Sequence, residues 1–254
     1  MRNPRILGKL TAGALDAVFA DFDRQLKERG YLAMGGQIVD ATLVAAPKQR
    51  NTVPEKDAIK AGKKADEIWP DEPARAAQKD TDAHWTRKFA KAKPLANGKP
   101  GIDIAIPSFG YKSSVSICRT FGFIRKCKVT DGARFDGRML RDVVTSDNTA
   151  SDVWADTAYR SQANEVWLKR QSRVSRIHRR KPRGKPMPER TAKANAAKSK
   201  VRARVEHVFA RQKDQMGLFI RTIGIKRAEA KITLANLAYN MHRLIFHERR
   251  AAMG

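Results

Sequence analysis

Three carboxylates stand out in this sequence because of their neighbours. Asp40 lies inside the run Ile38-Val39-Asp40-Ala41-Thr42-Leu43-Val44, Asp156 ends the apolar run Val153-Trp154-Ala155, and Glu206 sits in a helix crowded with Arg and Val. A carboxylate among apolar strand residues is costly unless it is paired, hydrogen-bonded or bound to metal. Hard cations such as Mg²⁺ take carboxylate and water oxygens. Two such ions held side by side can activate an attacking oxygen and stabilise a leaving one in phosphoryl transfer. Each residue also has an ordinary role open to it. Asp40 shares a strand face with Ile38 and Thr42 and points to solvent if that face is exposed. Asp156 is placed to cap the helix that follows. Glu206 can pair with Arg202 one turn back, for about 0.2–0.5 kcal/mol.

The charge pattern around these residues favours an anionic partner. The 254 residues carry 52 Lys and Arg against 26 Asp and Glu, a net charge of +26. A compact domain so charged repels itself unless a polyanion neutralises it, and nucleic acid is the commonest such partner. No run of 18 apolar residues is present, so a membrane is not the expected partner. Between Arg160 and Lys213 there are 18 basic residues and three acids. Within that stretch Arg173, Arg176, Arg179, Arg180 and Lys181 are candidates for DNA phosphate contacts. Arg202, Glu206 and Lys213 fall on one helical stripe, beside a mostly apolar one of Val201, Val205, Val208 and Gln212. A metal ligand flanked by two phosphate-binding cations would look like this, and so would a plain amphipathic helix.

The elements that must position these residues follow from periodicity. Residues 11–30 have helical spacing at Leu15, Val18, Phe19, Phe22 and Leu26. Residues 35–44 read as a strand after glycines, and 45–108 as a polar, proline-bearing insertion packed on or beside the core, with a helix near Glu55 to Gly62. Strands are expected at 110–118, 121–130, 152–156 and 174–178, and helices at 135–144, 161–171, 198–216 and 226–248. In the last helix Leu234, Leu237, Met241, Leu244 and Ile245 are spaced to bury one face. This order predicts an α/β fold, a mixed sheet covered by helices on both faces. We divide the chain into an N-terminal helical segment, 1–34, and a catalytic domain, 35–250, that includes the 45–108 insertion. Cys118 and Cys127 form no ligand pair, so zinc is not expected, and they suit a reducing cytoplasm. The N-terminus lacks the apolar stretch of a signal peptide.

Three segments resemble the DDE transposases of bacterial insertion sequences, in particular the insertion-sequence-five group. Gly35 to Thr42 is similar to the first-aspartate strand, Val153 to Ser161 to the second-aspartate segment, and Arg202 to Phe209 with Lys213 to the glutamate helix. Phe109-Gly110-Tyr111-Lys112, Val129-Thr130-Asp131 and Gly217 to Gly224 are further echoes, and the likeness runs from about residue 12 to 250. The resemblance implies a ribonuclease-H-like sheet with a large insertion after the first strand. It implies catalysis and metal binding by Asp40, Asp156 and Glu206, with two Mg²⁺ ions or Mn²⁺ in their place. The implied partner is double-stranded DNA, both element ends and target, in the bacterial cytoplasm at the nucleoid, with a homodimer allowed. The sequence departs from the family at Ser199, where a Tyr is usual, and at Ser114 and Cys118, where a His and an Asp are common. Relatives also carry a helical DNA-recognition region ahead of the core. A truncated copy, a second reading frame and a shorter subtype are therefore all expected forms, and the alternative function is a DNA-binding remnant without catalysis.

Overall fold

The computed structural model describes residues 12–90 and 103–253. Its sheet is built around β1 (Gln37–Ala45), whose residues are buried at all but two positions. A strand covered on both faces reads as a near-continuous apolar run rather than an alternating one, as Ile38, Val39, Leu43 and Val44 do. On one side β1 pairs antiparallel with β3 (Ile104–Cys118), which pairs antiparallel with β4 (Ile124–Asp131). On the other side β1 pairs parallel with β5 (Asp152–Trp154), and β5 with β6 (Val174–Ser175). The order β4-β3-β1-β5-β6, three antiparallel strands followed by two parallel ones, is the expected ribonuclease-H-like mixed sheet.

Helices cover both faces. One face buries Ile38, Val115, Ile117 and Trp154 against Phe19 of α1 (Ala12–Glu28), Val205, Val208 and Phe209 of α7 (Glu189–Ala210), and Leu237 and Tyr239 of α8 (Ile225–Ala252). The other buries Val39, Val153 and Ala155 against Leu140 and Val143 of α5 (Leu140–Val143) and Leu168 of α6 (Gln162–Arg170). Within the insertion lie α2 (Val53–Lys60), α3 (Ala65–Ile68) and α4 (Pro73–Ala76).

Several expectations are refined or corrected. The insertion, expected on or beside the core, also contributes to the sheet: its β2 (His84–Ala90) pairs with the N-terminal half of β3. That half, Ile104–Ser108, is strand as well, with Pro107 inside it, whereas the sequence places it in the insertion. The glutamate helix begins at Glu189, not near Lys198. Its first turns carry almost no apolar face, so periodicity could not reveal them. In α8 the buried face is Ala228, Ile232, Asn236, Leu237 and Asn240, while Leu234, Met241 and Ile245 face outward. Val18 in α1 is likewise exposed.

Two contacts fix how β1 meets β5. Gly36 has φ +88°, and a Cβ there would fall 2.5 Å from the Trp154 ring and 2.6 Å from the Asp152 carbonyl. Only glycine lets the strands approach this closely. The Asn148 side chain then accepts from Gly36 N–H (2.9 Å) and donates to its carbonyl (3.0 Å). Gln37 donates to Thr145 O and accepts from Thr145 N–H, tying the loop before β5 to the start of β1.

Candidate active site

The parallel register decides where the aspartates stand. Gln37 pairs with Val153 and Ile38 with Trp154, so two residues further on Asp40 lies beside Asp156. Side chains alternate along a strand. Asp40 and Asp156 therefore share the face of Ile38 and Trp154, which is covered by α7. The face that might have been open to solvent is buried, and Asp40 is only 7% exposed.

Asp40 accepts from its neighbour Ala41 N–H (2.9 Å) and from the Arg202 guanidinium, Nη2 at 3.0 Å and Nε at 3.3 Å. Burial pushes its carboxyl up to about 6, with Asp156 adding to the rise, against the opposing pull of Arg202 and the Ala41 hydrogen bond. Asp156 does act as a cap: its Oδ1 accepts from Ala158 N–H (2.7 Å) at the head of a 3₁₀ turn, Thr157–Tyr159. Glu206 lies one turn beyond Arg202 on α7 and accepts from the same Nη2 at 3.3 Å. Its side chain is 60% exposed, so it reaches the site from the solvent side.

Arg202 thus lies between a strand carboxylate and the helix glutamate. Among the described residues no three Asp, Glu, His or Cys side chains close to the spacing of a metal site. The donor set nonetheless fits a hard cation. It consists of carboxylate oxygens, and at the most buried of them burial outweighs the Arg202 pair, leaving a charge that a cation would relieve. Lys213 follows in a π-helical turn, Arg211–Gln215, and its Nζ donates to Thr42 Oγ1 (2.6 Å), two residues along β1 from Asp40. Such turns recur at functional sites.

The basic segment divides by use. Arg173 donates to the carbonyls of Ala150, Thr145 and Ser146, and so holds the loop before β5. Arg176 pairs with Asp152 (2.6 Å). Arg179, Arg180 and Lys181 are exposed. Arg180 Nε donates to Thr157 O, one residue from Asp156, and the Arg179 backbone exchanges two hydrogen bonds with the Asn195 side chain of α7.

Sequence reasoning missed His178 and Lys198. His178 is buried, and burial together with the charges of Arg202 and Lys198 lowers its affinity for a proton, against the pull of Asp156. Lys198 Nζ donates to Ile177 O (3.0 Å), and burial and the neighbouring arginines likewise lower its hold on its proton. The signal available was the apolar-to-polar step Ile177-His178 at the end of an expected strand, but its meaning depends on which strand lies alongside.

A comparison with curated proteins gives no match. The family model described as the transposase DDE domain matches residues 32–241, a span that holds the whole sheet, all three carboxylates and most of α8. That family consists of metal-dependent enzymes that transpose DNA by cutting and joining it. With most of its length matched, the chain belongs to the transposase DDE domain family.

Proposed function

We propose that this chain cleaves DNA at the ends of an insertion sequence and joins the freed 3′-hydroxyl to target DNA, as a member of the insertion-sequence-five group. The observation that supports the reading is that the parallel β1–β5 register carries Asp40 alongside Asp156, just past the end of β5, on the face crossed by the helix that bears Glu206. These three residues would hold two Mg²⁺ or Mn²⁺ ions. Bound there, such ions supply Lewis-acid stabilisation of the attacking and leaving oxygens. In the first step a water oxygen bonds to phosphorus and the P–O3′ bond breaks, leaving a 3′-hydroxyl. In the second, that hydroxyl oxygen attacks a target phosphate and one P–O bond replaces another.

The chain's own residues orient the reaction. Asp40 and Asp156 provide fixed oxygens from a rigid sheet, while Glu206 closes the set from α7. Arg202 and Lys213 hold phosphate near the carboxylates. Arg179, Arg180 and Lys181 continue that surface outward and bind duplex without regard to sequence. In this reading residues 35–250 form the catalytic domain with 45–108 inserted, and 1–34 precede it.

Asp40→Asn, Asp156→Asn and Glu206→Gln each test the assignment on a nicked or supercoiled duplex with Mg²⁺ or Mn²⁺. Cleavage should fall by orders of magnitude in each, while duplex binding survives or tightens as carboxylate–phosphate repulsion is relieved. Wild-type cleavage by any variant removes that residue from the site. A wild-type chain that binds duplex and never cuts it is the non-catalytic remnant.

A further inference from the structure

β6 runs on beyond its two ladder residues as a hydrogen-bonded neighbour of β5. Arg176 N–H donates to Val153 O (2.8 Å), and His178 N–H donates to Ala155 O (3.1 Å). The pairing Val153 with Ser175 therefore extends to Asp156 with His178. Asp40 within β1, Asp156 just past β5 and His178 just past β6 stand abreast across three parallel segments. Neighbouring strands lie about 4.8 Å apart. Ile177 packs with Val153 and Ala155 on the opposite face, so alternation turns His178 to the face of the two aspartates.

His178 is 8% exposed, and its Nε2 is buried without a hydrogen-bond partner. A buried polar atom left unpaired is costly, and it calls for a partner from outside the chain. Apart from Asp156, the charges that act on it are cationic. Lys198 Nζ and Arg160 Nη1 both donate to the carbonyl of Ile177, the preceding residue, and Arg202 lies close enough to act on the ring electrostatically. A visitor to this corner is therefore an anion with oxygen acceptors.

We propose that His178 is a substrate-contacting residue of the DNA-cleaving site, its Nε2–H donating to a non-bridging oxygen of the phosphate bound beside Asp156. This rests on the transposase reading above. Mg²⁺ keeps to oxygen ligands, so the imidazole serves the phosphate and leaves the metal to the carboxylates.

His178→Phe removes the donor and keeps the ring, whereas His178→Gln keeps a donor near the Nε2 position. Loss of a donor aimed at a reacting phosphoryl group should cost on the order of a hundredfold in cleavage rate. His178→Phe should show that loss with unchanged duplex affinity and a melting temperature no lower than wild type, because no protein partner is abandoned. His178→Gln should recover most of the rate and keep the wild-type ratio of Mg²⁺ to Mn²⁺ activity. Wild-type cleavage by the Phe variant overturns the proposal, as does a Gln variant equally slow and less stable, or one whose metal preference has changed.

A second readout needs no turnover. In ¹⁵N-histidine spectra of the Glu206→Gln protein, the Nε2 signal that vanishes in His178→Gln should shift when a short duplex is added with Mg²⁺. A signal indifferent to saturating duplex overturns the proposal. If the wild type cuts no DNA at all, the functional reading fails, and the spectra still decide whether His178 meets phosphate.

Discussion

Replacing Asp40 by Asn removes a buried charge and little else, since the side chains are nearly isosteric. The folded protein binds a proton at Asp40 more tightly than the unfolded chain does, because the carboxyl rises from 3.8 to about 6. The stability associated with the neutral form is therefore full below pH 3.8 and is lost as pH climbs through about 6. At about 1.36 kcal/mol per pH unit, that interval makes the ionised carboxylate cost the metal-free fold about 3 kcal/mol at pH 7.5. The Asn variant should escape this cost. For a domain of this length, about 2–4 °C per kcal/mol gives a melting temperature some 6–12 °C above wild type in chelator. The gap should shrink below about 1 kcal/mol near pH 4. Mg²⁺ at ten times its dissociation constant should return about 1.4 kcal/mol to the wild type and almost nothing to the variant. Scanning calorimetry at pH 4, 6 and 7.5, with chelator and with Mg²⁺, reads all of these shifts. A variant less stable than wild type in chelator at pH 7.5 would refute the reasoning. It would mean that the Arg202 pair more than repays the burial of Asp40, and that the site is not strained toward a cation.

Two further outcomes follow from the same geometry. Changing Arg179, Arg180 and Lys181 together to Ala should weaken binding to every duplex alike and flatten the plot of log affinity against log salt by up to about 2.7, measured by fluorescence anisotropy; an unchanged slope would take all three off the DNA surface. Gly36→Ala forces a positive-φ position and a Cβ into the Trp154 ring and the Asp152 carbonyl, so urea unfolding should show a loss of about 3 kcal/mol; a loss under about 0.5 kcal/mol would mean that β1 and β5 do not depend on this contact.

Much of the sheet was legible because its central strands are apolar runs bounded by glycine and loop residues. The 37–45 strand, the 110–118 core of β3 and the 161–171 helix, with Ser161 Oγ accepting from Asn164 N–H, all announce themselves locally. What escaped depends on partners distant in sequence. His84–Ala90 is strand because β3 offers it an edge, not because its own pattern insists. The first half of α7 is helical without an apolar face to show it, and the outward stripe of α8 resembles a buried one in spacing alone. At the site, the order of the three carboxylate motifs was readable, and so was the Arg202–Glu206 stripe. That Arg202 reaches across to Asp40 was not, because the pair is separated by 162 residues. His178 was hidden for the same reason: its place beside Asp156 follows only from the parallel register of β5 and β6.

The central claim, that Asp40, Asp156 and the helix glutamate jointly take divalent cations, is tested most directly by anomalous scattering from crystals grown with Mn²⁺ and a short duplex. The account predicts Mn²⁺ peaks about 2.0–2.6 Å from oxygens of Asp40, Asp156 and Glu206, with the Arg202 guanidinium withdrawn from Asp40 toward a DNA phosphate. Saturating Mn²⁺ that leaves the Arg202–Asp40 bridge intact, with no peak shared by the two aspartates, would contradict it.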